Sequence, residues 1–256
     1  MNCNLKGKRA VITGASNGIG NGIAKVLANL GVLCLISARR SELLEKTKEE
    51  IERNGGIAPI PFAVDLFEQG APKKLAQKAL EVLGEVDILV NSAGRSKAPA
   101  APRNTPFNHP SELWEKELHL NYVVLRELTF LLLPQMQKRK YGRIINITGK
   151  SEPEKLGTAN PPKAAVHAWA KGLSRMIAQD GVTINQISPG KIISEQILAN
   201  YSAVERQKYE SEDIPLGYFG FPEDIGNLVA FLSSSQAEYI TGTVIPVDGG
   251  FRKFAF

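Results

Sequence analysis

Short apolar runs alternate with longer amphipathic stretches along the chain. The apolar runs are rich in β-branched residues and predict buried strands at 10–13, 32–37, 57–64, 86–90, 143–148, 182–187 and 243–247. The stretches between them have apolar residues at helical spacing and predict helices at 18–30, 41–54, 72–83, 111–133, 161–179, 195–209 and 222–233. Continuous apolar strands separated by helices are typical of a parallel sheet that is covered on both faces.

Local signals support this division of the chain. Ser41 and Ser111 are predicted to cap their helices, Gly55 and Gly56 to end the first of these two, and Pro161 to lie in the first turn of a third. Right-handed crossovers between parallel strands then give a doubly wound α/β fold. No linker, repeat or low-complexity tract divides the chain, so residues 1–256 are interpreted as a single domain.

Composition excludes several classes of protein. Hydrophobic residues make up 43% of the 256 residues and charged residues 22%, which argues against disorder. No apolar run is long enough for a membrane-spanning helix, and the first residues contain no apolar signal core. Cys3 and Cys34 are the only cysteines and form no framework, which indicates a reducing compartment. We therefore predict a cytoplasmic protein with no membrane partner and no metal ligands.

The net charge of +5 raises the question of nucleic acid. The basic runs at 6–9 and 138–140 lie beside predicted strands, and no RNA-binding or zinc-finger pattern accompanies them. We interpret them as a solvated rim and predict no nucleic-acid partner. A mildly positive protein also suits an anionic cofactor or substrate.

A glycine-rich loop follows the first predicted strand and opens the first helix. Gly14 permits a tight turn, Gly18 lets the backbone approach a phosphate, and Gly20 lets the helix pack closely on the strand. The N-terminus of the helix supplies free N–H groups and a positive dipole end for a pyrophosphate. This context predicts a dinucleotide site, with loop contacts from Gly14, Ser16, Asn17, Gly18, Ile19 and Gly20.

The loop resembles the T-G-x-x-x-G-x-G motif of the short-chain dehydrogenase/reductase family, and the resemblance extends over nearly the whole chain. It is most similar to the 3-oxoacyl-carrier-protein reductase-like members. The resemblance implies one Rossmann-like domain that transfers a hydride to or from a small carbonyl or alcohol. It also implies further cofactor contacts at Asp65 and Leu66 on the adenine side, at Asn91, Ala93 and Gly94 in the N-x-A-G motif, and at Pro189, Gly190, Ile192 and Ser194 on the nicotinamide side.

The end of the second strand indicates which nucleotide is bound. An NAD-specific site places a carboxylate there, but the nearest acid is Glu42 in the following helix. Arg39 and Arg40 can instead pair with a 2′-phosphate, with Ser37 adding a hydroxyl. We therefore predict that NADP(H) is favoured over NAD(H), with Arg39 as the stronger of the two arginines.

The catalytic pattern departs from the family. Members use a tyrosine as acid/base, a lysine four residues later that lowers the pKa of the tyrosine and holds the ribose, a serine after the fifth strand, and a helix asparagine that holds a water. Counting back from Pro189-Gly190 places Lys163 at the lysine position, but Ala159 stands at the tyrosine position and Gly149 at the serine position. Asn121 matches the asparagine. The predicted catalytic residues are Asn121, Lys163 and, as substitutes for the serine, Thr148 and Ser151.

The proton source stays open at this point. Lys163 either holds the ribose only or also donates the proton, and His167 lies one helical turn beyond it. Arg103 and His109 in the loop after Gly94, and Tyr201, Tyr209 and Tyr218 in the segment expected to cover the substrate, are weaker candidates.

Three functions are compatible with this pattern. The leading one is an NADP(H)-dependent short-chain oxidoreductase with a degenerate catalytic tyrosine and serine. The alternatives are a non-catalytic NADP(H)-binding sensor or structural protein, and a cofactor-independent lyase-type enzyme on the same fold. The resemblance implies a homo-oligomer, a tetramer or a dimer, and the apolar surface of helix 112–133 and the phenylalanines of the tail at 251–256 are expected to be covered.

Overall fold

A sheet of seven parallel strands forms the centre of the computed structural model, which describes residues 3–94, 110–149 and 157–253. The strands are β1 (Arg9–Thr13), β2 (Leu33–Ala38), β3 (Ile60–Ala63), β4 (Ile88–Asn91), β5 (Gly142–Ile147), β6 (Val182–Pro189) and β7 (Val244–Val247). Their order is β3-β2-β1-β4-β5-β6-β7. The strands up to β3 are therefore added on one side of β1 and those from β4 onwards on its other side, so the strand order reverses between β1 and β4. In such sheets, ligands bind outside the carboxyl ends of the strands at this reversal.

Helices cover both faces of the sheet. They are α1 (Gly18–Asn29), α2 (Ser41–Arg53), α3 (Ala71–Leu83), α4 (Ser111–Leu118), α5 (Val124–Arg139), α6 (Asn160–Ile177), α7 (Glu195–Asn200), α8 (Ala203–Lys208) and α9 (Pro222–Ser233). One hydrophobic core joins α1, α2 and α9 to the sheet, and a second joins α3, α5 and α6 to its other face. Successive strand residues alternate between the cores, as Val11 and Ile12 do. The predicted doubly wound α/β fold is thereby confirmed.

Two predicted helices are divided in the structure. The predicted helix 111–133 is interrupted by a π-helical turn, His119–Val123, and then continues as α5 to Arg139. The predicted helix 195–209 is two short helices, because Ser202 begins a new one by forming a capping box with Glu205. A second π-helical turn, Tyr209–Asp213, follows α8.

Several predicted ends are also wrong. The predicted strand 57–64 shortens to β3, because its pairing with β2 begins only where Leu35 faces Ile60. Ser41 and Ser111 are the first residues of their helices rather than caps, and the preceding Arg40 and Pro110 provide no side-chain cap. Within the described ranges, no helix combines the length and the apolar character needed to cross a membrane.

Candidate active site

The glycine loop between β1 and α1 is packed too tightly for side chains. Gly14 and Gly18 have φ values of +70° and +55°, in the left-handed region that favours glycine. A Cβ on Gly14 would lie 2.9 Å from Cα of Ala93, and a Cβ on Gly20 would lie 2.4 Å from the carbonyl oxygen of Gly14. The loop therefore contacts the end of β4 and its own first residue at distances that only glycine allows.

The first turn of α1 faces the same crevice. Asn17 is the N-cap of this helix, and its Oδ1 accepts a hydrogen bond of 2.6 Å from the backbone N–H of Gly18. The turn contains no acidic residue. The positive end of the helix dipole is thus not neutralised within the turn, which suits an anionic group.

Two cavities open at the carboxyl ends of the strands, with volumes of about 570 Å³ and about 190 Å³. Gly14, Arg39, Arg40, Ala93 and Gly94 line both of them. The other predicted residues in the larger cavity are Asn17, Gly18, Ile19, Gly20, Thr148, Lys163, Pro189, Gly190, Ile192 and Ser194. Those in the smaller cavity are Ser16, Asp65 and Leu66. The structure thus brings most of the predicted cofactor residues to one crevice.

Three predicted residues do not line either cavity. Ser37 is fully buried in β2 and lines neither cavity. The structure therefore does not bring its hydroxyl to the crevice, in contrast to the predicted contact with the nucleotide. Asn91 is buried, and its Nδ2 donates to Oδ1 of Asn146 at 2.9 Å. Asn121 lies behind Gly94, where a Cβ would be 2.8 Å from its Oδ1. The predicted Ser151 lies outside the described residues, as do Arg103 and His109.

The two arginines at the end of β2 differ in their contacts. Both side chains are exposed. Nη2 of Arg40 lies 3.5 Å from Oε2 of Glu195, an exposed ion pair of the kind that contributes little to stability. Arg39 forms no ion pair within the ranges that the structure describes, so its guanidinium is the more available to an anion.

Lys163 lines the larger cavity together with Ala159 and Gly149. Ala159 is buried, lines the cavity and directly precedes α6, and Lys163 follows one helical turn later. A Cβ on Gly149 would lie 3.4 Å from Cδ of Lys163. The positions at which the family resemblance expects a tyrosine and a serine therefore both border Lys163. Among the described residues, no tyrosine lines the cavity.

Burial lowers the pKa of Lys163 to about 8, and the negative charge of Glu117 opposes this shift. A pKa in this range leaves the ammonium largely charged at pH 7 but close to its titration. Lys163 is thus a group in the cavity that both holds and releases a proton near neutral pH.

Thr148 supplies a hydroxyl to the same cavity. Its Oγ1 lies 2.8 Å from Nε2 of His167 and donates to the carbonyl oxygen of Ile187 at 3.2 Å. The hydroxyl has one proton, so when that proton points to Ile187 the imidazole Nε2–H is the donor to Thr148. Burial, helped by the charge of Arg252, lowers the pKa of His167 to about 4, which keeps the ring neutral at physiological pH.

Asn121 belongs to the π-helical turn, and its amide is held by a residue that the sequence analysis missed. Its Nδ2 donates to Oε2 of Glu117 at 2.8 Å and to the backbone oxygen of Glu117 at 3.0 Å. Glu117 is only 2% exposed. The separation of four residues places the two side chains on one helix face, which is the one sequence signal that indicates the pair.

Thr13 is a second residue that the sequence analysis missed. Its Oγ1 accepts hydrogen bonds from the backbone N–H groups of Ser92 and Ala93, at 3.0 and 2.9 Å. These bonds fix the end of β4 to the end of β1. They therefore position the chain segment that closes one side of both cavities.

The weaker candidates of the covering segment lie elsewhere. Tyr201 accepts a hydrogen bond of 2.9 Å from Nζ of Lys191, and its ring contacts the ring of Tyr209 edge-on. Phe251 contacts Tyr209 within the same chain, and residues 254–256 of the tail lie outside the described ranges. None of these side chains lines the larger cavity. The described residues contain no cluster of His, Cys, Asp or Glu that could hold a metal ion.

A glycine-lined crevice at the reversal point of a doubly wound sheet is typical of dinucleotide-binding α/β proteins. The family model for enoyl-(acyl carrier protein) reductase matches residues 14–252. The 3-oxoacyl-[acyl-carrier-protein] reductase of Aquifex aeolicus is 33% identical over 98% of this chain and 99% of its own length. The 2-dehydro-3-deoxy-D-gluconate 5-dehydrogenase of Bacillus subtilis is 34% identical over 96% of this chain and 95% of its own length.

Solved structures show the same similarity. An L-sorbose reductase from Gluconobacter frateurii, complexed with NADPH and L-sorbose, superimposes with a TM-score of 0.89 at 27% identity, covering 99% of this chain and 100% of its own. A 7α-hydroxysteroid dehydrogenase complexed with NADH and 7-oxo glycochenodeoxycholic acid has a TM-score of 0.88 at 29% identity, covering 97% of this chain and 96% of its own. The chain therefore belongs to the short-chain dehydrogenase/reductase family and is similar to its 3-oxoacyl-carrier-protein reductases. It is an NAD(P)-dependent oxidoreductase.

Proposed function

We propose that the protein is an NADP(H)-preferring oxidoreductase that moves a hydride between the nicotinamide and a small carbonyl or alcohol. The observation that carries this proposal is a single cavity that is lined by the glycine loop and Arg39 and also by Lys163 and Thr148. An anionic nucleotide and a polar reacting group thus each have a matching environment. The NADPH complex of the similar L-sorbose reductase supports the choice of nucleotide.

The residues present are suited to the nucleotide, because the glycine loop leaves room that any Cβ would fill. The loop and the first turn of α1 would hold the diphosphate, and Arg39 the 2′-phosphate. Asp65 and Leu66 would contact the adenine side. Pro189, Gly190, Ile192 and Ser194 would contact the nicotinamide side, with Lys163 on the ribose. The nicotinamide, when bound, supplies the hydride.

The chain itself must handle the proton. Ala159 has none to give, whereas the Lys163 ammonium holds a proton at the cavity wall. Lys163 would donate that proton to the carbonyl oxygen during reduction and regain it from water. The Thr148 hydroxyl would polarise the carbonyl by turning its one proton from Ile187 to the substrate, while Nε2–H of His167 donates to it. Positioned acid/base catalysis of this kind contributes roughly 10²–10⁴-fold.

A titration of NADPH and NADH, followed by thermal unfolding, tests the proposal. A ligand at about 100 times its Kd adds about 2.7 kcal/mol, which raises the Tm by several degrees. We expect a larger Tm shift with NADPH than with NADH in the wild type. In R39D the NADPH shift should be lost and the NADH shift should increase. R53D changes a matched exposed arginine at the end of α2 and should leave the preference unchanged.

The remaining outcomes separate the alternatives. No shift with either nucleotide would contradict the proposal and favour cofactor-independent chemistry. NADPH binding without turnover on a panel of carbonyl compounds would favour a sensor or structural role.

We also propose that the protein is a homo-oligomer. The α4–α5 region exposes Leu118, Phe130 and Leu131, which are 45, 47 and 40% exposed in the single chain. Large apolar side chains that are exposed in the single chain are suited to burial against a second copy. Light scattering of the wild type is expected to give a dimer or tetramer, and F130E is expected to weaken this association. A monomeric wild type, with the same mass as F130E, would contradict the proposal.

A further inference from the structure

Glu117 is a carboxylate buried close to the candidate active site without lining it. It lies at the end of α4, just before the π-helical turn, and 2% of its surface is exposed. An unpaired buried carboxylate is strongly unfavourable, so a glutamate in this place needs partners. Its carboxylate accepts one hydrogen bond, of 2.8 Å, from the Asn121 amide.

This hydrogen bond fixes how the Asn121 side chain is oriented. With Nδ2 committed to the Glu117 carboxylate and backbone, Oδ1 is left on the side of Gly94. Gly94 lines both cavities, so the asparagine supports the cavity wall from behind. A residue at 117 without a side-chain acceptor would leave the Asn121 amide with only its hydrogen bond to the backbone oxygen of residue 117.

Glu117 also acts on Lys163 across the gap between α4 and α6. Burial of Lys163 favours the neutral amine, and the charge of Glu117 favours the ammonium. The helix of Lys163 packs against α4, the π-helical turn, β6 and the 3₁₀ turn Ala178–Asp180. The titratable and charged residues of these elements and of α6 are Glu112, Glu115, Lys116, Glu117, His119, Tyr122, His167, Lys171, Arg175 and Asp180. Of these, Glu117 is the one whose charge opposes the effect of burial on the pKa of Lys163.

We propose that Glu117 is a positioning residue, whose buried carboxylate orients Asn121 and keeps the Lys163 ammonium charged at the cavity wall. Its catalytic meaning rests on the proposed function, in which Lys163 gives the proton that Ala159 lacks. Without Glu117, the buried amine would hold its proton less firmly, and a smaller fraction of the enzyme would be ready to protonate a carbonyl at neutral pH.

The test measures the titration of Lys163 directly in the nucleotide-free full chain, so it does not depend on turnover or on a known substrate. The rate of Lys163 acetylation by acetic anhydride, followed by mass spectrometry from pH 6 to 10, reports the pH at which the amine deprotonates. We expect E117Q to move this midpoint to lower pH by on the order of one unit, because an opposite charge is lost. E115Q removes an exposed carboxylate from the same helix and is expected to leave the midpoint unchanged.

A second variant and a second measurement separate the possible failures. E117M replaces the buried charge by an apolar side chain of similar length and is used if E117Q does not fold. It is expected to shift the midpoint in the same direction, and an unshifted midpoint in the folded variant would overturn the proposal. NADPH titration of the same variants is scored separately, because failure to bind NADPH contradicts the proposed function and leaves the Glu117–Lys163 coupling standing.

Discussion

Replacement of Lys163 by methionine is expected to stabilise the protein while it removes activity. The fold lowers the pKa of this lysine from 10.5 to about 8, chiefly through burial. One pKa unit corresponds to about 1.4 kcal/mol, so the charged lysine destabilises the native state by about 3 kcal/mol at pH 7. Methionine keeps an unbranched side chain of similar length without the charge, and K163M should therefore unfold at a free energy up to about 3 kcal/mol higher than that of the wild type.

The stability difference between K163M and wild type depends on pH. Below pH 8, Lys163 is protonated in both the native and the unfolded state, and the full destabilisation is present. Between pH 8 and 10.5, the unfolded state binds the proton and the native state does not, so wild-type stability rises with pH. Above 10.5, both states are neutral. The difference in stability between K163M and wild type is thus largest at pH 7 and disappears towards pH 10.5.

Urea unfolding of the nucleotide-free protein at pH 7, 8, 9 and 10 measures this difference. K171M is the matched control, since Lys171 is exposed on the same helix, and its stability is expected to stay within roughly 0.5 kcal/mol of wild type at every pH. An advantage of K163M that is absent at pH 7, or one that persists undiminished at pH 10, would refute the argument from burial. Wild-type turnover in K163M would refute the proposed role in proton transfer.

Three further outcomes are expected. G20A should lower NADPH affinity by at least about tenfold, because its Cβ would lie 2.4 Å from a carbonyl oxygen of the loop. The control variant G172A has open space around its Cβ and should bind NADPH like the wild type. Equal affinities of the two variants in a fluorescence titration would contradict this prediction. As the pH falls from 6.5 to 4, wild-type stability in urea should decrease more than that of H167Q. Burial and then the charge of Arg252 lower the pKa of His167 to about 4 in the native state, so the unfolded chain takes up the proton first. Parallel pH curves of the two proteins would contradict this prediction. D87A should lose on the order of 3 kcal/mol in urea unfolding, because the buried Asp87 pairs with Arg139 at 2.6 Å, and a loss below about 1 kcal/mol would show that the pair is replaceable.

The sheet and the glycine loop were predictable because both leave a strong local signal. A strand buried on both faces must be apolar throughout, as Val11 and Ile12 show by facing opposite cores. A Cβ on Gly14 would lie only 2.9 Å from Cα of Ala93, so this position requires glycine and the requirement is visible in the sequence. Arg39 was predicted from the end of the second strand and Lys163 by counting back from Pro189-Gly190, and both line the larger cavity.

Features that depend on the tertiary structure were missed. A glutamate in an amphipathic helix is usually exposed, and apart from its four-residue spacing to Asn121 nothing in the local sequence shows that Glu117 is enclosed. Ser37 has a hydroxyl suited to binding, but its side chain is fully buried once the chain is folded. Residues 195–209 have helical spacing throughout, yet the capping box at Ser202 begins a second helix. Each of these outcomes is decided by neighbours that are distant in sequence or by a hydrogen bond that competes with the periodic pattern.

The π-helical turn His119–Val123 constrains how this protein can evolve. Such a turn carries one residue more than an α-helical turn, so deleting one residue would restore a regular helix. Because each residue of an α-helix advances it by about 100°, the deletion would rotate α4 by about this angle relative to α5 and would move the Glu117 side chain away from its present buried position. An insertion would misalign the two halves in the opposite sense. Lineages that keep this site are therefore expected to accept substitutions within the turn while preserving its length.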